Sequence, residues 1–216
     1  YDKVIKEVSR IVDSGYEEIV FAGIHTGKYS SNDKSLSDLI EGVLINVPKL
    51  KRLRLSSIEI NEIDDKLLRL MAESKVLANH LHLPLQSGSD NILSLMNRKY
   101  DKAFFLDKIN QIRNIRSDIS ISTDVIVGFP YETDELFLET YDFIKEINFS
   151  LLHVFPYSKR NNTKASLMPQ VDGKVKKERV KKLIELSNEL NNNYNQKFVG
   201  QILDVIIEAK ADEDYM

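Results

Sequence analysis

The chain has 216 residues, 42% hydrophobic and 29% charged, as expected for one globular domain with a substantial core. Its formal net charge is −3, so no overall positive field attracts nucleic acid, and any RNA-binding face has to be local. The chain has no Cys, which excludes disulfides, a thiol nucleophile and Cys-ligated metal within these residues.

No apolar run approaches the roughly 20 residues of a membrane span, and no signal peptide is visible. We therefore expect a cytoplasmic protein with no membrane contact. The sequence starts without Met in a helical pattern and ends shortly after an isolated strand pattern. We expect it to be a fragment of a longer protein.

Hydrophobic periodicity predicts helices and strands in alternation. Predicted helices cover 2–14, 35–46, 65–75, 89–97, 102–116 and 134–147, and predicted strands cover 18–22, 52–56, 79–83, 119–127 and 150–155. This alternation is typical of βαβ units with a parallel sheet. Because a helix comes first with no strand before it, we expect an α/β barrel that lacks its opening strand.

The C-terminal part has a different pattern. One long helix is predicted at 173–199, ended by Gly200, with an inward stripe of Val180, Leu183, Ile184, Leu190, Tyr194 and Phe198. A strand follows at 202–208. Because a lone strand cannot satisfy its backbone groups, we expect it to open a further domain. We divide the chain into a partial barrel (1–172), a connecting helix (173–199) and the start of that domain (200–216).

Polar residues cluster where predicted strands end. His80–Asp90 is a short apolar strand that opens into a polar turn, and Phe21–Gly27 and Thr123–Pro130 have the same character. In barrels of strands and helices, ligands bind at these carboxyl ends. Asp124 lies within an apolar strand, where a carboxylate either faces a site or is paired. Phe155 and the residues after it combine aromatic, hydroxyl and cationic groups that suit a nucleoside.

Two other readings start from single motifs. His80 and His82 share one face of a strand and could bind zinc in a metal-dependent hydrolase, although a hydrogen-bonded structural role is the simpler interpretation. The start of the long helix carries six cations that could meet RNA phosphates in a non-catalytic RNA-binding barrel: Lys174, Lys176, Lys177, Arg179, Lys181 and Lys182. A solvated helix face is the alternative.

Six stretches together resemble the radical SAM methylthiotransferases and occur in the order found in that family: Glu18–Gly27, Arg54–Ile58, His80–Ser89, Leu95–Tyr100, Thr123–Thr133 and Val154–Thr163. The segment Phe198–Glu208 resembles the entry to the family's small β-rich TRAM domain, which binds RNA. At Gly23–His25 the chain resembles the branch that acts on threonylcarbamoyladenosine beside the tRNA anticodon. The other branches, which act on isopentenyl adenosine or on a ribosomal protein, usually carry other residues there.

The resemblance implies an α/β fold, a partial (β/α)6 TIM-like barrel without its first strand and cysteine loop. It also implies S-adenosylmethionine and two [4Fe–4S] clusters in the full-length protein, none ligated by this chain. The cofactor would be cleaved by one electron to a 5′-deoxyadenosyl radical, which abstracts hydrogen from an adenine carbon before a methylthio group is added. The implied partners are tRNA and an electron donor such as a flavodoxin.

The resemblance also implies the cofactor-binding residues. Gly23, Ile24 and His25 match the strand end that faces the methionine amino group, and Ser57 and Glu59 match positions near the ribose. Gln86 and Arg98 match polar contacts to the methionine and ribose end. Asp124, Gly128 and Phe155 match strand ends near the nucleoside.

The chain departs from the family at several points. The three-cysteine loop is absent, so we expect these 216 residues alone to be inactive. The domain that would hold the auxiliary cluster is absent as well. Tyr131 and Ser30 stand where many relatives have Gly, which indicates local differences in loop shape.

Overall fold

The computed structural model describes residues 1–205, and every helix and strand predicted before residue 199 is present in it, with ends displaced by a few residues. The helices are α1 (Asp2–Asp13), α2 (Leu36–Asn46), α3 (Asp65–Glu73), α4 (Asp90–Leu95), α5 (Lys102–Ile115), α6 (Asp134–Ile147) and α7 (Gly173–Gln196). The strands are β1 (Glu18–Phe21), β2 (Ser30–Ser31), β3 (Lys34–Ser35), β4 (Arg52–Leu55), β5 (His80–His82), β6 (Ser120–Val127) and β7 (Leu151–Pro156).

The five longer strands run parallel. β1 pairs with β4, and β6 lies between β5 and β7 in a second sheet. Parallel bridges from Leu53 to Leu77 and from Ser57 to His82 connect the two sheets. The strands therefore follow one another in the order β1-β4-β5-β6-β7, with helices as crossovers. The predicted α/β class with a parallel sheet is confirmed, and its closure into part of a barrel stays a prediction.

The two faces of this sheet differ in polarity. On one face, apolar side chains such as Leu81, Ile121 and Val125 are almost fully buried beneath the helices. On the other face of β6 lie Ser122 and Asp124, in alternation with the apolar set. The interior of a packed α/β barrel is filled by branched apolar side chains. A polar face of this kind instead leaves room for solvent or a ligand.

Helix ends follow from local chemistry. Asp64 accepts a hydrogen bond from the Leu67 amide at 2.7 Å and begins α3, and Thr133 caps α6 in the same way. Asn148 ends α6 in the left-handed conformation, with φ of 57°. These caps fix where each helix starts and therefore where the loops at the strand ends emerge.

A short hairpin lies between β1 and α2. β2 and β3 pair antiparallel around Asn32 and Asp33, whose φ values are 50° and 61°. Two successive residues with positive φ are typical of a two-residue hairpin turn, and Asn and Asp tolerate that conformation. The strands are too short for a period-two pattern, so the Asn-Asp pair was the only signal for the hairpin.

Helix α7 keeps most of the predicted inward stripe, since Leu183 and Leu190 are buried and Val180 packs against the core. Ile184 of that stripe is instead 47% exposed, and Leu186, which was not predicted, is buried. Residues 201–205 form no strand, and the rest of the strand predicted at 202–208 lies outside the described residues. The predicted entry to a TRAM domain and the three domain boundaries therefore stay predictions. Across residues 1–205, no helix has the length and hydropathy needed to traverse a lipid bilayer.

Candidate functional site

The polar residues at the strand ends surround three cavities on one side of the molecule. Because all five strands are parallel and neighbouring, their carboxyl ends emerge at the same edge. A further cavity of about 640 Å³ lies at the opposite, amino ends of β4 and β5. That cavity contains none of the residues predicted to bind a cofactor.

The first cavity has a volume of about 490 Å³, within the usual range for small-molecule sites. Gln86, Asp124 and Phe155 line it together, at the ends of β5, β6 and β7. Phe155 is 50% exposed, so one face of its ring is open to a ligand. Carboxylate, amide and aromatic groups around one space suit a nucleoside, which stacks and hydrogen-bonds at once.

Gln86 is held in an unusual backbone conformation. Its φ is 67°, in the left-handed region that residues other than Gly seldom adopt. The Gln86 amide donates to the Asp124 carbonyl at 2.8 Å, and the Gln86 carbonyl accepts from Ile126 at 2.9 Å. Pairing with β6 therefore holds a costly conformation in place. Backbone strain of this kind is concentrated at binding sites.

The second cavity, of about 170 Å³, is charged. Arg98 donates to Glu59 at 3.0 Å, and Nδ1 of His25 lies 3.4 Å from a Glu62 carboxylate oxygen. Nε of Arg98 is buried without a hydrogen-bond partner among the described residues. An unpaired buried donor on a cation is costly, so Arg98 has unused capacity for an acceptor.

The third cavity, of about 360 Å³, lies beside the open edge of β1 and is mostly apolar. Gly23, Ile24 and His25 line it, and the Ile24 side chain is fully exposed. Thr26 lies 3.2 Å from the Ser56 hydroxyl and ties this loop to the end of β4. The three predicted residues of this loop therefore lie at the end of β1, and the Ile24 side chain is open to solvent.

Two predicted site residues line none of these three cavities. Ser57 is exposed and forms a parallel bridge with His82. Gly128 has φ of 71° and donates its amide to Glu132 at 2.9 Å. A side chain at Gly128 would collide with Lys176, so this glycine is required for the close approach of α7.

The histidine pair forms a network with Ser122 on the polar sheet face. The Ser122 hydroxyl lies 3.1 Å from Nε2 of His80 and 2.9 Å from Nδ1 of His82. His82 also lies 3.3 Å from Asp124, and its ring centre is 5.6 Å from that of His153. Burial, with Arg54 nearby, lowers the pKa of His80 to about 4. Neutral hydrogen-bonding is therefore its role at pH 7.

The same network weakens the zinc-hydrolase reading. Within residues 1–205, no three His, Asp or Glu side chains converge in a way that could hold a metal ion. Both imidazoles instead have a hydroxyl partner. The hydrogen-bonded structural role that the sequence favoured for these histidines agrees with these contacts. The contact of His82 with Asp124 could not be predicted from the sequence, because β5–β6 pairing sets it.

A buried ion pair behind the cavities was also missed. Arg179 of α7 donates to the Glu132 carboxylate at 2.6 Å and to the Glu132 carbonyl at 3.0 Å. The second terminal nitrogen of the Arg179 guanidinium donates to the Asp134 carboxylate at 2.7 Å. The Arg179 and Glu132 side chains are 5% and 2% exposed. The Glu132 oxygen that accepts from Arg179 also accepts from Gly128, so α7 is fastened to the loop after β6.

Comparison with known proteins shows the family of the chain. A family model described as the radical SAM superfamily matches residues 1–144. The chain is 46% identical over 215 residues to the threonylcarbamoyladenosine tRNA methylthiotransferase MtaB of Bacillus subtilis, covering 98% of this chain and 48% of that protein. It is 38% identical to a tRNA-2-methylthio-N(6)-dimethylallyladenosine synthase of Thermoanaerobacter, covering 99% of this chain and 46% of that protein.

Solved structures share the fold at low identity. Coproporphyrinogen III oxidase HemN from Escherichia coli, described as a radical SAM enzyme, superposes with a TM-score of 0.64 at 19% identity, covering 88% of this chain and 46% of that one. The radical S-adenosylmethionine methyltransferase TsrM from Kitasatospora setae gives 0.58 at 16% identity, covering 71% and 30%. The chain spans about half the length of the curated relatives it matches.

Proposed function

The chain belongs to the radical SAM superfamily, and from that premise we propose that it is the core of a tRNA methylthiotransferase acting on threonylcarbamoyladenosine. The observation that carries this proposal is 46% identity to a methylthiotransferase of that specificity over nearly the whole chain. The parallel strand ends, with polar groups around three adjoining cavities, support a small-molecule site in the same region.

In the proposed site, S-adenosylmethionine lies across the carboxyl ends of the strands. Gln86, Asp124 and Phe155 surround its nucleoside, since they line one cavity of suitable size. The unused donor on Arg98 receives an acceptor at the methionine and ribose end, with Glu59 alongside. The loop Gly23–His25 borders the methionine amino group. Ser57 and Gly128 line none of the cavities, and their contribution is to the backbone conformation of the loops at the strand ends.

Bound S-adenosylmethionine supplies the radical chemistry, and the residues of this chain supply binding, orientation and shielding. Phe155 would offer its ring to the adenine of bound S-adenosylmethionine, and Gln86 would offer hydrogen-bonding groups beside it. Orientation of this kind lowers the barrier by removing the entropy of encounter.

These residues do not fit an iron–sulfur cluster. Clusters of the [4Fe–4S] type are held by Cys thiolates, and the 216 residues contain none. We therefore assign both clusters of the active protein to residues outside this chain. We further assign it a cytoplasmic location, tRNA as its macromolecular substrate and a flavodoxin-type electron donor.

The main alternative to threonylcarbamoyladenosine as the substrate is dimethylallyladenosine. Relatives that are named as dimethylallyladenosine synthases match at 38% identity, against 46% for the first-named relative. The loop Gly23–His25, where the branches differ, lies at the mouth of the apolar cavity beside β1. A difference at this loop therefore alters a surface that a bound substrate can reach.

The test is the nucleoside content of tRNA. The full-length protein is expressed in a strain that lacks both methylthiotransferase activities, and digested tRNA is analysed by mass spectrometry. We expect a methylthio derivative of threonylcarbamoyladenosine and no methylthio derivative of dimethylallyladenosine. The reverse result would move the protein to the other branch, and the absence of both would overturn the proposed reaction.

A further inference from the structure

Positive charge is concentrated in one segment of an acidic chain. Residues 157–182 carry nine Lys and Arg against two acidic residues, although the whole chain has a net charge of −3. A cluster of cations of this density is typical of a nucleic-acid-binding surface. The segment begins directly after β7 and ends within the first half of α7.

The structure separates these cations into two groups. Arg179 is buried against Glu132, and Lys176 donates to the Tyr157 carbonyl at 3.1 Å while lying over the Tyr157 ring. These two hold α7 on the core and are unavailable to a ligand. Six others are exposed and make no ion pair within residues 1–205: Lys159, Arg160, Lys164, Lys174, Lys177 and Lys182. The ninth, Lys181, lies 3.9 Å from Glu185 of the same helix.

Of the exposed cations, Arg160 lines the 490 Å³ cavity, and Lys159 and Lys164 belong to the same loop. Arg160 and Thr163 line that cavity together with Asp124 and Phe155. The loop is ordered through its backbone, since Thr163 donates to the Arg160 carbonyl at 2.8 Å and caps the short helix Lys164–Leu167. Its cationic side chains are therefore not needed to hold the loop, and they remain free to meet anions.

We infer that Lys159, Arg160 and Lys164, with Lys174 and Lys177 behind them, form a phosphate-binding rim for the backbone of an unpaired RNA loop. This inference rests on the proposed function, because it names the surface by which the tRNA substrate reaches the cavity. The half-exposed Phe155 ring at the cavity wall gives an unpaired base a stacking surface.

An unpaired loop fits this surface better than an RNA duplex. Bases of a duplex are stacked on one another and cannot enter a cavity, whereas those of a loop can be splayed onto an aromatic ring. Cations beside such a ring track the backbone of a single strand without reading its sequence. The rim therefore supplies affinity and position, and the cavity receives the base.

The test is RNA binding by the 216-residue chain, with an anticodon stem-loop RNA as the probe over a series of salt concentrations. The rim variant Lys159→Gln/Arg160→Gln/Lys164→Gln removes three cationic side chains that make no hydrogen bond or ion pair within residues 1–205. The matched control Lys3→Gln/Lys6→Gln/Lys145→Gln removes three exposed cations from α1 and α6. Both variants change the net charge equally, so a difference between them reports position.

We expect the rim variant to bind about tenfold more weakly near 0.1 M salt. The slope of log K against log salt should fall by about 2, since each lost phosphate contact on a single strand contributes about 0.7. The control should change neither quantity. Equal binding by both variants, or no binding by the unaltered chain at low salt, would overturn the inference. Failure of the proposed function would appear separately, as unmodified tRNA with RNA binding intact.

Discussion

Tyr131 has the least favourable backbone conformation for its residue type in the site region. Its φ is 66°, and its side chain is 52% exposed, so the ring does little to offset the strain. A bulky residue in the left-handed region costs about 1–2 kcal/mol. Gly at this position would have no such cost. The free energy of unfolding therefore contains an avoidable local penalty at Tyr131.

We expect Tyr131→Gly to raise the free energy of unfolding by about 1 kcal/mol, measured by urea denaturation. The control is Tyr131→Ala, which removes the same ring but keeps a β-carbon in the left-handed region. It should give no gain. If Ala stabilised the chain as much as Gly, the ring of Tyr131 and not its backbone conformation would cause the loss of stability, which would contradict this prediction.

His80 makes folding stability depend on pH. Burial lowers its pKa from 6.5 to about 4, with smaller contributions from Arg54, His82 and His153, which face it from β4, β5 and β7. Between those two values the unfolded chain binds a proton that the folded chain does not. Stability is therefore fully present above pH 6.5 and falls as the pH decreases towards 4.

The variant His80→Gln, which keeps a hydrogen-bonding group for Ser122, isolates this effect. Between pH 6.5 and 4 we expect the unaltered chain to lose about 1–2 kcal/mol more than the variant, allowing for the partial solvent contact of the ring. Urea midpoints over this range measure the difference. Parallel pH profiles for the two chains would contradict the assignment to His80.

At the scale of elements, α7 is joined to the loop after β6 by charge. Glu132 accepts from both Gly128 and Arg179, and Arg179 also lies over the Phe137 ring, 5.3 Å from its centre. Removal of one partner of a buried ion pair leaves the other charge unpaired, which costs about 3–5 kcal/mol. The pair therefore couples the position of α7 to the strand end beside the cavity.

We expect Arg179→Ala to lower the free energy of unfolding by about 3–5 kcal/mol, and Arg179→Met/Glu132→Leu to lower it by less, because the double variant leaves no buried charge. The exposed Lys182→Ala on the same helix is the control, with a change within about 0.5 kcal/mol. Urea denaturation of all three measures this. A double variant as unstable as the single one would show that packing, and not charge, is responsible.

The elements that carry strong periodic patterns were predictable from the sequence. Helix starts at Asp64 and Thr133 and the five parallel strands follow from capping chemistry and hydrophobic spacing. The exposure of Ile184 and the burial of Leu186 in α7 were not, since the contacts of Arg179 and Lys176 help to select which side of that helix faces the core. A cluster of cations on a helix predicts a solvated or RNA-binding face. Only the structure shows that Arg179 and Lys176 contact the core while the other cations of this helix are exposed.

At the scale of the molecule, the site residues were predictable only as separate strand ends. Gln86, Asp124 and Phe155 are 38 and 31 residues apart in sequence, and the parallel order β5-β6-β7 brings them to one cavity. Side-chain pairs such as Arg98 with Glu59 depend on loop geometry that no periodic pattern encodes. The sequence therefore predicted the edge of the sheet and left the arrangement around it open.

The central claim is that S-adenosylmethionine binds at this edge, and formation of 5′-deoxyadenosine tests it. The full-length protein is reconstituted with its clusters, reduced, and assayed over a range of S-adenosylmethionine concentrations by mass spectrometry. Gln86→Asn shortens the amide yet tolerates the positive φ. Gln111→Asn makes the same change on the outer helix α5.

We predict that the unaltered protein forms 5′-deoxyadenosine and that Gln86→Asn lowers kcat/KM about tenfold to a hundredfold, mainly through KM, because a contact to bound cofactor is lost. Gln111→Asn should match the unaltered protein. Equal kcat/KM for Gln86→Asn and Gln111→Asn, or no 5′-deoxyadenosine from the reconstituted protein, would contradict the account.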